Sequence, residues 1–164
     1  MNSPGRVGIG FDIHRLAGDR RLILGGVEIP YELGLAGHSD ADVLSHALCD
    51  ALLGAACLGD IGRHFPDTDP RYSGASSLDL LSHVVEMIHQ AGYSVCNTDC
   101  IIVAERPKLA AHIPAMQEKL AAVLRVASDC IGIKAKTNEG LDAIGRGEAI
   151  AAQVVALIVP RALE

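Results

Sequence analysis

Apolar and polar residues alternate with the period of a strand near the start of the chain. Arg6 to Ile13 reads RVGIGFDI, and Arg21 to Pro30 reads RLILGGVEIP, two short apolar runs around Gly25-Gly26, which is a hairpin signal. A glycine-rich loop follows, and then Ser39-Asp40-Ala41-Asp42 precedes an apolar run from Val43 to Gly54. Ser39 suits an N-cap and Asp42 the capping-box position, so a long helix is expected from near His38. Leu80, Leu81, Val84, Val85 and Ile88 recur at the spacing of a one-sided helix across Ser77 to Gln90, with Gly92 placed to end it. Tyr93 to Ala104 reads as a strand. Pro114 suits the first turn of a helix that runs on through Met116, Leu120, Val123 and Leu124. Ile131 to Thr137 and Ala149 to Val159 read as two further strands.

Two stretches lack any period. Gly59 to Ser76 is dense in Gly, Pro, Asp and Ser and reads as a long loop, of the kind that is functional or mobile in a compact domain. Asn138 to Glu148, NEGLDAIGRGE, reads as a second loop. Strands and helices mix without a regular βαβα repeat, which predicts an α+β fold: a mixed β-sheet with helices packed on one face. No internal repeat, low-complexity tract or linker interrupts the chain, so residues 1–164 are expected to form a single domain around one core.

Composition narrows the function. The chain has 164 residues, 49% hydrophobic and 21% charged, an ordinary globular balance. With a net charge of −6 and 3% aromatic residues, it lacks the basic field and the stacking surface for nucleic acid. An anionic ligand would need local donors, a metal or helix N-termini. The opening MNSPGRVGIG has no apolar stretch of signal-peptide length, and no segment is apolar enough to span a membrane, so a cytoplasmic location is expected. Cys49, Cys57, Cys96, Cys100 and Cys130 form no CxxC pair and mostly sit in apolar runs, as reduced core thiols do.

Asp12 and His14 lie two apart at the expected end of the first strand, so their side chains leave one face and can converge on one ion. On the first helix Asp42, His46 and Asp50 fall at i, i+4 and i+8, a polar stripe through an apolar stretch. A carboxylate with two imidazoles is the donor set of a catalytic zinc site that keeps a fourth position open. Sequence alone does not bring strand and helix together, so a hydrogen-bonded or surface role stays open for each histidine. Asp42 and Asp50 either orient His46 or serve as cap and solvated face. GIGFDIHR lacks the third glycine and the following helix of a dinucleotide-binding loop, which removes that reading. Phe65 to Pro70 clamps a polar substrate or is a turn cluster with Asp caps. Glu105 to Lys108 and Lys136 to Glu139 end two strands, where Lys and Thr can hold phosphate oxygens and Glu139 a hard cation, or where ordinary surface loops occur.

Together, GIGFDIHRL, IPYELGLAGHSDADVLSHALCDALLGAACLGDIGRHFPDTDP, IVAERPKLAAHIPAM and KTNEGLDAIGRGEAIAAQVVAL resemble the 2-C-methyl-D-erythritol 2,4-cyclodiphosphate synthase family in order and spacing. The resemblance covers most of the chain. It implies a homotrimer with active sites between subunits and zinc held by Asp12, His14 and His46. A second divalent ion, Mg²⁺ or Mn²⁺, is implied near Glu139. Substrate contacts carry over to His38 and Ser39, to Asp60, Ile61 and Gly62, and to Phe65, Pro66, Asp67, Thr68 and Asp69. They continue at Ala104, Pro107, Lys108, Leu109 and Ala110, and at Lys136, Thr137, Asn138 and Glu139. Asp12 and His14 count among the substrate contacts too, and His38 and Thr137 fall where the family places its transition-state stabilisers. The implied reaction is attack by the 2-phosphate of a cytidylylated methylerythritol on the β-phosphorus, with CMP leaving. No protein nucleophile is needed, in line with the absence of a Ser-His or Cys-His signature.

One departure bears on a second ligand. The family commonly has Gly-Phe where this chain has Asp142-Ala143, ahead of a retained Gly145-Arg146-Gly147-Glu148. In the family that Phe and Arg border a channel on the trimer axis that can hold an isoprenoid diphosphate. Here Arg146 keeps the charge and Ala143 lacks the aromatic contact, so the main reaction is expected without the accessory ligand. Two competing functions use the same residues: a zinc-dependent phosphoester hydrolase with a metal-activated water, and a non-catalytic trimer that binds isoprenoid diphosphates. From the length of 164 residues, no fused cytidylyltransferase is expected.

Overall fold

Strands β1 (Arg6–Ala17) and β7 (Ala149–Pro160) form the spine of the sheet, paired antiparallel from Arg6 opposite Ile158 to Arg15 opposite Ala149. The computed structural model describes residues 4–161, so the first three residues of the opening judged free of a leader segment lie outside it. On the far side of β7, strand β5 (Tyr93–Val103) pairs antiparallel with an irregularity between Val95 and Asn97. Strand β6 (Ile131–Lys136) continues from β5 in parallel. A parallel neighbour needs a crossover, and the helix α4 (Ile113–Leu124) supplies it. With the short β4 (Gly34–Leu35) beside β1, the order is β4-β1-β7-β5-β6, a mixed sheet.

Helices α1 (Val43–Ala55) and α3 (Ser77–Gln90) build the layer on one face with α4. α1 packs on β1 and β7 and against α3, and this double cover explains why nearly its whole circumference is buried. α3 buries the stripe read from its spacing, Leu80, Leu81, Val84, Val85 and Ile88. The opposite face of the sheet carries Val7, Ile9, Phe11 and Ile13, 46–67% exposed, with Val155 beside them.

The hairpin forms as expected from β2 (Leu22–Leu24) and β3 (Val27–Ile29). Gly25 and Gly26 take φ of +56° and +71°, the left-handed pair that a two-residue turn requires. Their N–H groups donate to the Asp42 carboxylate at 2.9 and 2.7 Å. The same carboxylate accepts from the backbone of Leu44 and Ser45 and from the Ser45 hydroxyl, so one fully buried acid joins the hairpin to the start of α1.

That acid also corrects the expected helix start. α1 begins at Val43 with Asp42 as N-cap, not near His38 with Ser39. Ala41 sits at φ +58° and Asp42 is extended, which breaks the helical run, and Ser39 accepts the Ala41 N–H at 3.1 Å instead. The two loops also hold single turns. Asp60 caps α2 (Ile61–His64), Asp69 caps a 3₁₀ turn at Pro70–Tyr72, and α5 (Asp142–Gly145) lies within the second loop. One turn is too short to show a period. Cys49 and Cys100 are the core thiols expected, whereas Cys57 and Cys96 are exposed and Cys130 is half-buried.

Candidate metal centre and substrate cleft

Gly8, Gly10, Asp12 and His14 share the helix-facing side of β1, and the glycines decide how close the helix comes. A Cβ on Gly8 would stand 1.9 Å from the Ala51 carbonyl oxygen, and one on Gly10 1.9 Å from that of Ala47. α1 therefore rests on bare strand backbone. The helix runs so that His46, one residue before Ala47, meets the next inward positions, Asp12 and His14. Both ligands sit within β1, which continues to Ala17, and not at the strand end expected from sequence.

Asp12 Oδ2 lies 2.9 Å from His14 Nε2 and 3.0 Å from His46 Nδ1, and the two ring nitrogens are 3.2 Å apart. Hydrogen-bond partners fix the tautomer of His14 and orient the ring of His46. His14 Nδ1 is 2.7 Å from the Ala36 carbonyl, which can only accept, so Nδ1 carries the proton and Nε2 presents its lone pair. His46 Nε2 faces the hydroxyls of Ser77 and Ser39 at 2.9 and 3.1 Å, which leaves Nδ1 free toward Asp12. With the His46 proton on Nε2, three acceptors converge with no donor among them. Such a triangle is relieved by a proton or a cation.

A tetrahedral zinc with bonds of 2.0–2.1 Å would separate its ligands by about 3.3 Å, close to the edges of this triangle, so the donor set fits the ion. The titration of the acids and bases points the same way. Burial disfavours the charged form of Asp12, but where protons take the place of the cation, hydrogen bonds and charges from the protonated His14 and His46 rings outweigh it and hold its carboxyl well below the usual carboxylate range. Burial also opposes charging of His14, and the Asp12 carboxylate overcomes it, so the imidazole pKa is raised.

The triangle forms the floor of a cleft of about 460 Å³, lined also by His38, Ser39, Ile61, Gly62, Phe65, Pro66 and Asp67. The structure thus brings most of the expected N-terminal contacts together. Asp60, Thr68 and Asp69 do not line it. Asp60 accepts from the Arg63 N–H at 2.9 Å, Thr68 is exposed, and Asp69 pairs with Arg71. His38 Nε2 donates to the Asp69 carbonyl at 3.1 Å, which ties the rim to that loop. Asp50 lines the cleft but does not orient His46. It accepts from the Ile61 N–H at 2.7 Å and so anchors α2, while burial, with Asp60 and Asp12 nearby, raises its carboxyl pKa. The Asp42 carboxylate does not reach the His46 ring either; the two residues share only the backbone bond from the His46 N–H to the Asp42 carbonyl, at 3.0 Å.

The C-terminal contacts assemble elsewhere. Ala104, Pro107, Lys108, Leu109, Ala110, Lys136 and Thr137 line a second hollow of about 140 Å³ with Glu105. Glu105 accepts the Asn138 N–H at 3.1 Å, and Thr137 donates its hydroxyl to Glu139 at 2.8 Å. Ile13, Ala151, Val103 and Lys136 lie in register across the sheet, so this hollow stands at the same end of the sheet as the triangle. It is two to three strand spacings away, roughly 10–14 Å. Arg146 pairs with Glu148 at 2.8 Å, and Ala143 lies on α5. Sequence reasoning missed Ser77 and Asp40 as functional residues; their only signal is a polar residue at a helix start.

Comparison with known proteins gives a consistent result. The model of the YgbB family matches residues 5–159. The chain is 57% identical over 154 residues to the 2-C-methyl-D-erythritol 2,4-cyclodiphosphate synthase of Alkaliphilus oremlandii, covering 94% of this chain and 98% of that one. It is 60% identical to the synthase of the same name from Cyanothece sp., covering 94% and 96% of the two chains. Among solved structures, a 2C-methyl-D-erythritol-2,4-cyclodiphosphate synthase in a CDP-bound form superposes with a TM-score of 0.86 at 40% identity, covering 93% of this chain and 99% of that one.

Proposed function

The chain belongs to the YgbB family, and on that premise we propose that it converts 4-diphosphocytidyl-2-C-methyl-D-erythritol 2-phosphate to 2-C-methyl-D-erythritol 2,4-cyclodiphosphate and CMP. The observation that carries the reading is the donor-free triangle of Asp12, His14 and His46 at the floor of a cleft sized for a small polar substrate. These three residues would hold Zn²⁺, and Glu139 would take a share in a second ion, Mg²⁺ or Mn²⁺. Bound there, divalent ions supply charge neutralisation and alignment for two phosphates that repel each other.

The protein's own groups then have defined tasks. An oxygen of the 2-phosphate forms a bond to the β-phosphorus as the bond from that phosphorus to the CMP oxygen breaks, so no water is consumed. His38, whose Nε2–H already points into the rim, and Thr137, with its hydroxyl, donate to phosphoryl oxygens as charge moves to the leaving group. Ser39 and the Ile61-Gly62 backbone hold the sugar end over the triangle, and Lys108 and Lys136 receive the nucleotide end. Because the two hollows are separated within one chain, a complete site takes its metal half from one copy and its nucleotide half from a neighbour. The exposed apolar stripe of Val7, Ile9, Phe11 and Ile13 supports a homotrimer closed around that sheet face. Cytoplasmic location completes the proposal.

The test is turnover of the cytidylylated substrate with and without a chelator. CMP with a cyclic product, lost on chelation and restored by metal, is expected. A linear phosphate product would instead identify a hydrolase, and binding without turnover a carrier.

A further inference from the structure

We propose that Asp40 and Ser77 are positioning residues that lock His46 in the tautomer and ring orientation needed for metal binding, an inference that rests on the metal reading above. Ser77 opens α3 and is fully buried, and its hydroxyl sits between two functional partners. On one side it contacts the Asp40 carboxylate, which also accepts the Ser77 backbone N–H at 3.1 Å. On the other side it lies 2.9 Å from His46 Nε2. A carboxylate can only accept, so the single hydroxyl proton of Ser77 goes to Asp40. The Ser77 oxygen is then an acceptor toward the ring, and the proton on His46 must sit on Nε2.

The alternative tautomer is disfavoured at both ends. It would set the Nε2 lone pair against the Ser77 oxygen, whose proton is committed to Asp40, and its Nδ1–H would occupy the place of the cation beside Asp12 and His14. Ser39 fits the arrangement if its own proton goes to the Ser77 oxygen 3.3 Å away, which leaves the Ser39 oxygen as a second acceptor for Nε2–H at 3.1 Å. The relay reaches His46 from two other segments, the loop before α1 and the start of α3. On the opposite ligand the Ala36 carbonyl does the same for His14. A carboxylate behind a metal-binding imidazole raises its basicity as well as fixing it, and here a serine transmits that effect.

Zinc dissociation constants from chelator competition and ¹⁵N spectra of the metal-free imidazoles, at a pH where both rings are neutral, test the relay. Wild type should show His46 protonated at Nε2 alone. Ser77→Ala should weaken zinc about 10- to 100-fold, the usual effect of losing such a partner, and bring up the Nδ1–H signal. Asp40→Asn should move both readings the same way. Ser45→Ala, which removes a buried hydroxyl from α1 that bonds Asp42 and not His46, should leave both unchanged. Ser77→Ala with wild-type zinc affinity and wild-type imidazole signals overturns the relay, and if Ser77→Ala does not fold, the same two readings on Asp40→Asn decide. An equal loss of zinc in Ser45→Ala also overturns it, since the effect would then be structural. A wild type that binds no zinc fails in the reference measurement and so refutes the metal reading itself.

Discussion

Replacing Gly10 by alanine should damage the metal centre without touching a ligand. The added Cβ would stand 1.9 Å from the Ala47 carbonyl oxygen and 2.7 Å from the Ala51 nitrogen, where side-chain carbons do not come closer than 3.0 Å. These are backbone atoms of a helix buried on both sides, so no side chain can turn away, and α1 must retreat by about 1 Å, an overpacking strain of about 1–3 kcal/mol. His46 moves with Ala47, which would open its 3.0 Å separation from Asp12 to about 4 Å, well beyond a zinc ligand edge of about 3.3 Å. We predict a fall in Tm of about 3–10 °C for a chain of this length, together with zinc affinity weakened at least about tenfold. Gly8→Ala meets the same overlap at Ala51, more than a turn further from His46. It should lose similar stability and less zinc affinity. Thermal melts and chelator competition on both variants check the argument. It fails if Gly10→Ala melts and binds zinc like wild type, or if Gly8→Ala is the weaker zinc binder.

His46→Ala should lose bound zinc and turnover and keep its fold; metal analysis with circular dichroism decides, and full zinc occupancy would remove His46 from the site. Asp42→Ala strands the N–H groups of Gly25 and Gly26 and uncaps α1, a loss of about 3–7 kcal/mol if two buried donors cost ~1–3 each and the cap ~1; urea unfolding measures it, and a loss below ~1 would refute the anchor. Geranyl diphosphate should bind weakly or not at all, since Ala143 offers no aromatic contact and Glu148 already engages Arg146; tight binding by calorimetry that survives Arg146→Ala would contradict this. If His46→Ala and Lys108→Ala are each inactive, dissociating and reassembling them together should restore ~1/4 of wild-type activity, the share of sites that draw both halves from intact segments in a closed ring. Mixed trimers confirmed by mass spectrometry with no recovery would end the shared-site model.

What was legible in the sequence depended on how locally each feature is specified. The helix over Ser77 to Gln90 and the Gly25-Gly26 turn were readable because period and turn chemistry lie in adjacent residues. The start of α1 was misplaced because Asp42 and Ser39 are equally good caps in sequence, and the choice falls to the hairpin amides that Asp42 must satisfy from 16 and 17 residues away. α2 and α5 are single turns with no period to detect. In the site, Asp12, His14 and His46 could be named as a donor set, but their meeting depends on Gly8 and Gly10, whose role emerges only when helix lies on strand. Ser77 was invisible as a functional residue, since at the head of an amphipathic helix it looks like an ordinary first-turn serine.

The first strand also resolves an apparent contradiction in its own pattern. Toward the helices, where a sheet normally presents its largest apolar residues, β1 presents Gly8, Gly10, Asp12 and His14. Away from them it presents Val7, Ile9, Phe11 and Ile13. Taken by hydrophobicity alone, the strand would be turned over. The inner row is small because the backbone of α1 fills that space, and polar because the ligands follow where the helix contact ends. The outer row is apolar and uncovered in one chain, which fits the proposed closure by neighbouring copies. With a side-chain period of two, the proposed metal ligation and self-association would therefore use alternate residues of one strand. A one-residue slip would send Asp12 and His14 outward and drive Ile9, with Val7 or Phe11, into the α1 backbone. The register that gathers Asp12 and His14 beside His46 is thus the register that exposes the surface proposed to bring the other half of the site to them.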